Sequence, residues 1–161
     1  MKGNPEVIEV LGEVLCAELT AVNQYFIHAK MCADWGYHAL AAYGRAESID
    51  EMKHAEMVIE RILFLEGVPN MQKYMKIQVG KTVPEQFQFD VELEYGAVER
   101  LNRGIALCVE KKDNTTREML ETILAEEEHH IDWLETQLHL VKTIGVERYL
   151  SMKLGEEKAG H

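Results

Sequence analysis

Long apolar runs are missing from this 161-residue chain, and none approaches the ~20 residues that a membrane-spanning helix requires. Basic residues are also scarce. Seventeen Lys and Arg stand against 28 Asp and Glu, a formal net charge of −11. That balance argues against nucleic acid and membrane surfaces as partners and suits a protein that draws in cations. The three cysteines, Cys16, Cys32 and Cys108, show no Cys-x-x-Cys spacing. Buried reduced thiols are therefore expected, rather than a disulfide or a thiolate metal site. No apolar stretch follows Lys2 in Met-Lys-Gly-Asn-Pro-Glu, so a secretory signal is not expected and the reading is cytoplasmic. Proline occurs only three times, and helix formers fill the long intervals between breakers. The fold class is all-α, with residues 1–161 forming one domain.

Breakers and caps divide the chain. Asn4-Pro5 opens a first helix, with Asn as cap and Pro in the first turn. It runs to about Asp34 with an apolar stripe of Leu11, Val14, Leu15, Val22, Tyr25 and Phe26, and Trp35-Gly36 ends it. A second helix, about 38–66, carries Leu40, Val58, Ile62 and Leu65 and is stopped by Gly67 with Pro69 behind it. Residues 67–83 show no clear period. Pro84 begins a third helix bearing Val91, Val98, Leu101, Ile105 and Cys108. After a Lys-Lys-Asp-Asn turn, Thr115 and Glu118 suggest a capping box for a fourth helix with Leu120, Leu124, Leu134, Leu138 and Val141. A short C-terminal helix, about 146–154, follows, and the chain is expected to fray from Glu156.

Short links make antiparallel neighbours of helices one and two and of three and four. The long link lets helices two and three run parallel. The expected architecture is a ferritin-like four-helix bundle over about 5–143 with one long crossover, plus the short C-terminal helix.

Chemistry enters through two Glu-x-x-His pairs, Glu51 with His54 and Glu127 with His130. Residues three apart share a helix face, so each pair can present an oxygen and an imidazole to one ion. Glu18 precedes Glu51 by 33 residues, and Glu94 precedes Glu127 by 33. All four glutamates interrupt apolar stripes, which aims them and the two histidines at the bundle interior. Buried carboxylates are costly when uncompensated. Two dications offset four carboxylate charges, and two neutral imidazoles complete the shell. Glu51 and Glu127 are the natural bridges between metals roughly 3.5–4 Å apart, with Glu18 and Glu94 terminal. Mixed oxygen and imidazole donors with open positions suit iron or manganese and redox chemistry with oxygen or peroxide.

Beyond the ligand spacing, the chain resembles bacterioferritin along essentially its whole length. The likeness rests on Met-Lys-Gly at the start, Asn-Gln-Tyr-Phe at 23–26 and Glu-Ser-Ile-Asp-Glu-Met-Lys-His-Ala at 47–55. It continues through Ile-Glu-Arg-Ile-Leu-Phe-Leu-Glu-Gly at 59–67 and His-Ile-Asp-Trp-Leu-Glu-Thr at 130–136. The resemblance implies a hollow cage of 24 copies, homomeric or mixed with a second subunit type. It implies ferroxidase chemistry at a di-iron centre held by Glu18, Glu51, His54, Glu94, Glu127 and His130, and storage of a ferric mineral. It also implies haem b at a two-fold between subunits, with Met52 of each as axial ligand and Leu19, Asn23, Phe26 and Ile49 lining the pocket. A bacterioferritin-associated ferredoxin would send electrons through that haem to release iron.

Two positions depart from relatives in this resemblance. Ala46 stands where many carry a histidine of an inner-surface iron site, leaving Asp50 and Glu47. Val58 stands where some carry a tyrosine of an electron-donating aromatic group, leaving Tyr25 and Trp133. A rubrerythrin-type oxidase on the same scaffold is disfavoured by the lack of Cys-x-x-Cys pairs, and a haem carrier with an idle bundle by the intact ligand set.

Overall fold

A computed structural model describes residues 1–155, and the fraying expected from Glu156 lies outside the described residues. Four long helices and a short one follow in order: α1 (Pro5–Asp34), α2 (His38–Phe64), α3 (Val83–Lys111), α4 (Asn114–Ile144) and α5 (Val146–Ser151). Helix α1 packs along α2 and α3 along α4, and the two pairs meet through α1 against α3 and α2 against α4. Two apolar clusters fill the bundle. One centres on Leu11, Leu15, Val58, Ile62, Leu101 and Leu120, and the other on Leu40, Phe87, Val91, Leu134 and Tyr149. The metal-type residues lie in the polar layer between them.

The helix ends follow local chemistry, with corrections to the sequence reading. Asn4 caps α1, its side chain accepting from Glu6 N at 2.8 Å. Thr82 caps α3, so the helix starts at Val83, one residue before Pro84. The expected Thr115–Glu118 capping box does not form. Asp113 is the cap of α4, accepting from Thr116 N at 3.1 Å, and Arg61 of α2 reaches the same carboxylate at 3.1 Å. Asp at this position outcompetes Thr115 because a carboxylate also pairs with the guanidinium. Helix α2 ends at Phe64, and Glu66 rather than Gly67 adopts the left-handed conformation at φ 64°. Gly67 is needed for close approach: a Cβ there would lie 2.8 Å from Ile8 Cγ2. Phe26, placed on the α1 core stripe, is instead 47% exposed, because the stripe rotates past it to Tyr25 and His28.

The connection over 65–82 is a strap fastened to α1. At roughly 3.3 Å per extended residue it can reach about 59 Å, more than the ~40 Å of α2, so it can return the chain to the far end of the bundle. Three α1 side chains spaced four apart accept its backbone amides: Thr20 Oγ1 from Met75 at 2.9 Å, Gln24 Oε1 from Gln78 at 3.1 Å, and His28 Nε2 from Gly80 at 3.0 Å. Gln24 and His28 in turn donate to Asp90 of α3, at 2.8 and 2.9 Å. His28 thus stands as the Nδ1–H tautomer, donor to Asp90 and acceptor from the strap. This ladder of side chains does for the strap what a neighbouring strand would do in a sheet. Among the described residues, no helix is long and apolar enough to cross a membrane.

Candidate metal centre

One residue from α1, two from α2, one from α3 and two from α4 meet at the middle of the bundle, and all six are buried. Glu127 places Oε1 3.1 Å from His54 Nδ1 and Oε2 3.1 Å from His130 Nδ1. Glu51 does the same with the roles of its oxygens exchanged, Oε2 lying 3.5 Å from His54 Nδ1 and Oε1 3.0 Å from His130 Nδ1. Glu18 approaches only His54, and Glu94 only His130, each at 3.5 Å. The result is two overlapping groups, Glu18–Glu51–His54–Glu127 and Glu51–Glu94–Glu127–His130, each with ligand atoms within 4.8 Å of one another. Every residue chosen for ligation from the Glu-x-x-His spacing is in this assembly.

Burial and the close carboxylates and imidazoles shift one another's protonation. Burial, followed by repulsion from Glu51, holds the Glu18 carboxyl well above the usual carboxylate range; burial with Glu127 and Glu51 does the same to Glu94. Burial acts the same way on Glu51 and Glu127, but close polar contacts outweigh it and push both below their ordinary value. Glu18 and the two histidines do this for Glu51, chiefly the two histidines for Glu127. Burial would depress both imidazoles, yet the surrounding carboxylates, Glu127 foremost, drive His54 and His130 far upward. Glu18, Glu94 and both imidazoles thus hold their protons more tightly than free groups do, and Glu51 and Glu127 less tightly.

Does the donor set fit a metal pair? Glu18 Oε2 and Glu51 Oε1 are buried oxygens with no hydrogen-bond partner. Buried acceptors are rarely left so, and these two point into the overlapping groups, where cations would satisfy them. Hard carboxylate oxygens with two imidazoles are donors for iron or manganese rather than for copper(I).

The surroundings hold residues that the spacing alone did not single out. His54 Nε2 meets Glu126 Oε2 at 2.5 Å, and Tyr25 OH donates to Glu94 Oε1 at 2.5 Å. Tyr43 stacks on Trp133 with ring centroids 3.5 Å apart. Glu126 sits beside a predicted ligand in sequence, which was the available signal. Val58, in place of an aromatic, is fully buried in the apolar cluster. With Ala46 offering no ligand, Asp50 (3.6 Å from Lys53) and Glu47 (2.7 Å from His130) still form a third group with His130, ligand atoms within 4.8 Å of one another. Met52 points away from the six, 52% exposed; Phe26, Ile49 and Asn23 are exposed with it, and Leu19 is half-buried.

A four-helix bundle with a carboxylate–imidazole cluster at its centre is the design of ferritin-like proteins. The family model described as a ferritin-like domain matches residues 8–144. Among similar proteins, the bacterioferritin of Streptomyces coelicolor is 54% identical over 94% of this chain and 90% of its own length. That of Mycolicibacterium paratuberculosis is 52% identical over 92% and 94%, and that of Brucella melitensis 45% identical over 92% of each. The chain belongs to the bacterioferritin family.

Proposed function

We propose that the protein stores and detoxifies iron, oxidising Fe²⁺ as a ferroxidase with oxygen or peroxide at the buried centre. The observation that carries this reading is the division of Glu51 and Glu127. Each turns one oxygen toward His54 and the other toward His130, as bridges between two ions require. Two Fe²⁺ ions bound there as substrate are held close enough for a two-electron oxidant to take one electron from each. With peroxide the O–O bond breaks, two protons are taken up and two waters leave. The residues' part is to hold both ions, to shed the protons of Glu18, Glu94, His54 and His130 as the ions arrive, and to exclude other reductants by burial.

The finer features of the reading follow the family. Twenty-four copies would form a cage, alone or with a second subunit type, in the cytoplasm, with an acidic inner surface where the ferric mineral nucleates. Met52 would hold haem b through its sulfur, together with the same residue of a second copy, with Leu19, Asn23, Phe26 and Ile49 around the ring. Haem so placed supplies a one-electron path from a bacterioferritin-associated ferredoxin to the stored mineral. The exposed, apolar setting of Met52, Phe26 and Ile49 supports this, since a lone soluble chain gains nothing by wetting them.

The test is anaerobic addition of Fe²⁺ to metal-free protein followed by a pulse of peroxide or oxygen. A fast absorbance phase saturating near about two irons per chain, lost in Glu18→Ala with the assembly intact, is expected. Oxidation no faster than in buffer, or unchanged initial rates in Glu18→Ala, would reject the ferroxidase reading.

A further inference from the structure

The far nitrogens of the two histidines are treated differently. His54 Nε2 is in an aligned hydrogen bond with Glu126 at 2.5 Å. His130 Nε2 lies 2.7 Å from Glu47 Oε2, but off the direction of its N–H, and that buried oxygen has no hydrogen-bond partner. A histidine that binds a metal through Nδ1 must carry its proton on Nε2. A carboxylate accepting that proton fixes tautomer and ring angle and makes the ligand more basic, an effect commonly worth about 10–100-fold in metal affinity.

The difference is written into the repeat. Glu126 immediately precedes Glu127, and the residue that immediately precedes Glu51 is Asp50. By the pseudo-symmetry of the two Glu-x-x-His segments, Asp50 should stand to His130 as Glu126 stands to His54. It is one methylene shorter, lies 3.6 Å from Lys53 Nζ, and makes no hydrogen bond to His130. Glu47 fills the space from one turn earlier on α2, where the repeat would place it opposite Ile123, and its angle of approach is wrong. Helix α4 therefore lends α2 a well-aimed carboxylate, while α2 returns a poorly aimed one.

Resting on the metal-pair reading above, we propose that the two metal positions are unequal and that Glu126 makes them so. Acting through His54, it is a positioning residue that tightens the Glu18–His54 position, leaving the Glu94–His130 position as the weaker and more exchangeable of the two. Glu126 is half-exposed at 51% of its side chain, so replacing it leaves the packed interior alone.

The experiment is equilibrium titration of metal-free full-length protein with Co²⁺, followed by its visible bands, in wild type, Glu126→Ala, Glu126→Gln, Glu47→Ala and Asp50→Glu. Wild type should bind in two resolvable steps. Glu126→Ala should weaken the tighter step by about 10–100-fold and bring the steps together. Glu126→Gln, which keeps an oxygen for the Nε2 proton, should recover much of that loss. Glu47→Ala should change either step by less than about 3-fold, whereas Asp50→Glu should strengthen the weaker step. In a His54→Ala background Glu126→Ala should have no further effect, because a residue acting through His54 has nothing left to act on. Equal losses from Glu126→Ala with and without His54 would overturn the proposal, as a mere charge near the site would behave that way. So would two equal steps in wild type. Failure of wild type to bind Co²⁺ in the buried centre at all would bring down the metal-pair reading itself, and this inference with it.

Discussion

Tyr25 of α1 donates its hydroxyl proton to Glu94 of α3 across 2.5 Å, and Glu94 is the carboxylate that serves His130 alone. The phenol is buried, and its own ionisation is pushed well up by burial and by Glu94 and Asp90, so it acts as a fixed donor. Tyr25→Phe removes that donor and nothing else of similar size. A hydrogen bond to a charged group contributes about 1.5–3 kcal/mol, and it favours the ionised carboxylate that a metal needs. Weaker Co²⁺ binding by about tenfold is expected, confined to one of two positions, with the Glu18–His54 position unchanged. An equal loss at both positions would show that Tyr25 merely packs against the centre.

Gly80 sits where the strap turns into α3. A Cβ on it would lie 2.4 Å from the backbone nitrogen of Gln86 and 2.7 Å from its Cα. Backbone cannot step aside as a side chain can, so Gly80→Ala must displace the strap. That displacement breaks the hydrogen bond from the Gly80 N–H to His28 Nε2 and exposes the Gln24–His28–Asp90 network behind it. A loss of about 2–4 kcal/mol is expected in urea unfolding, in the range of an unsatisfied buried polar group plus a steric clash. Gly12→Ala, with nothing within 4 Å of its Cβ, is the control and should be neutral or slightly stabilising.

The contrast between the bundle and its strap marks what could be read in the sequence. Asn4-Pro5 and Trp35-Gly36 delimit helices because caps and breakers act locally, and Gly145 likewise follows the last residue of α4, Ile144. The six cluster residues were legible because a charged side chain interrupting an apolar stripe has few explanations. Thr20, Gln24 and His28 interrupt the same stripe without a legible role, since the strap groups they hold are backbone amides, which carry no sequence signature. Glu126 escaped for a related reason: its role depends on which face of α4 turns toward α2, and that is set by packing. Asp113 displaced the expected Thr115 cap through Arg61, 52 residues away.

Met52 faces away from the metal-type residues, so its replacement separates the proposed haem site from the proposed ferroxidase centre. Met52→Ala should lose the bis-thioether haem spectrum and slow the reductive release of iron. The rate of Fe²⁺ oxidation by peroxide should stay within about twofold of wild type, since surface truncations of this kind change the interior little. A full haem complement in Met52→Ala, read from the Soret band, would assign the axial ligand elsewhere.

The protons of the centre give the protein opposite responses to pH with and without metal. In the metal-free state Glu18 and Glu94 keep protons that unfolded glutamates lose near 4.5, and His54 and His130 keep protons that unfolded histidines lose near 6.5. Groups whose folded pKa is raised contribute stability below the unfolded value and lose it as pH rises. Glu51 and Glu127 shift the other way and contribute their full share once pH exceeds about 4.5. The metal-free protein should therefore be most stable on the acid side of neutrality, its thermal midpoint falling from pH 6 to pH 8. Binding two dications reverses this. One proton must leave each of Glu18, Glu94, His54 and His130, so about four are released per metal pair and affinity climbs with pH. Co²⁺ added to lightly buffered protein at pH 7 should acidify it by that amount, and the Co²⁺-loaded protein should gain thermal stability from pH 6 to pH 8. Release of only about two protons would mean that two of these four groups, the imidazoles or the carboxyls, have already lost theirs before metal arrives.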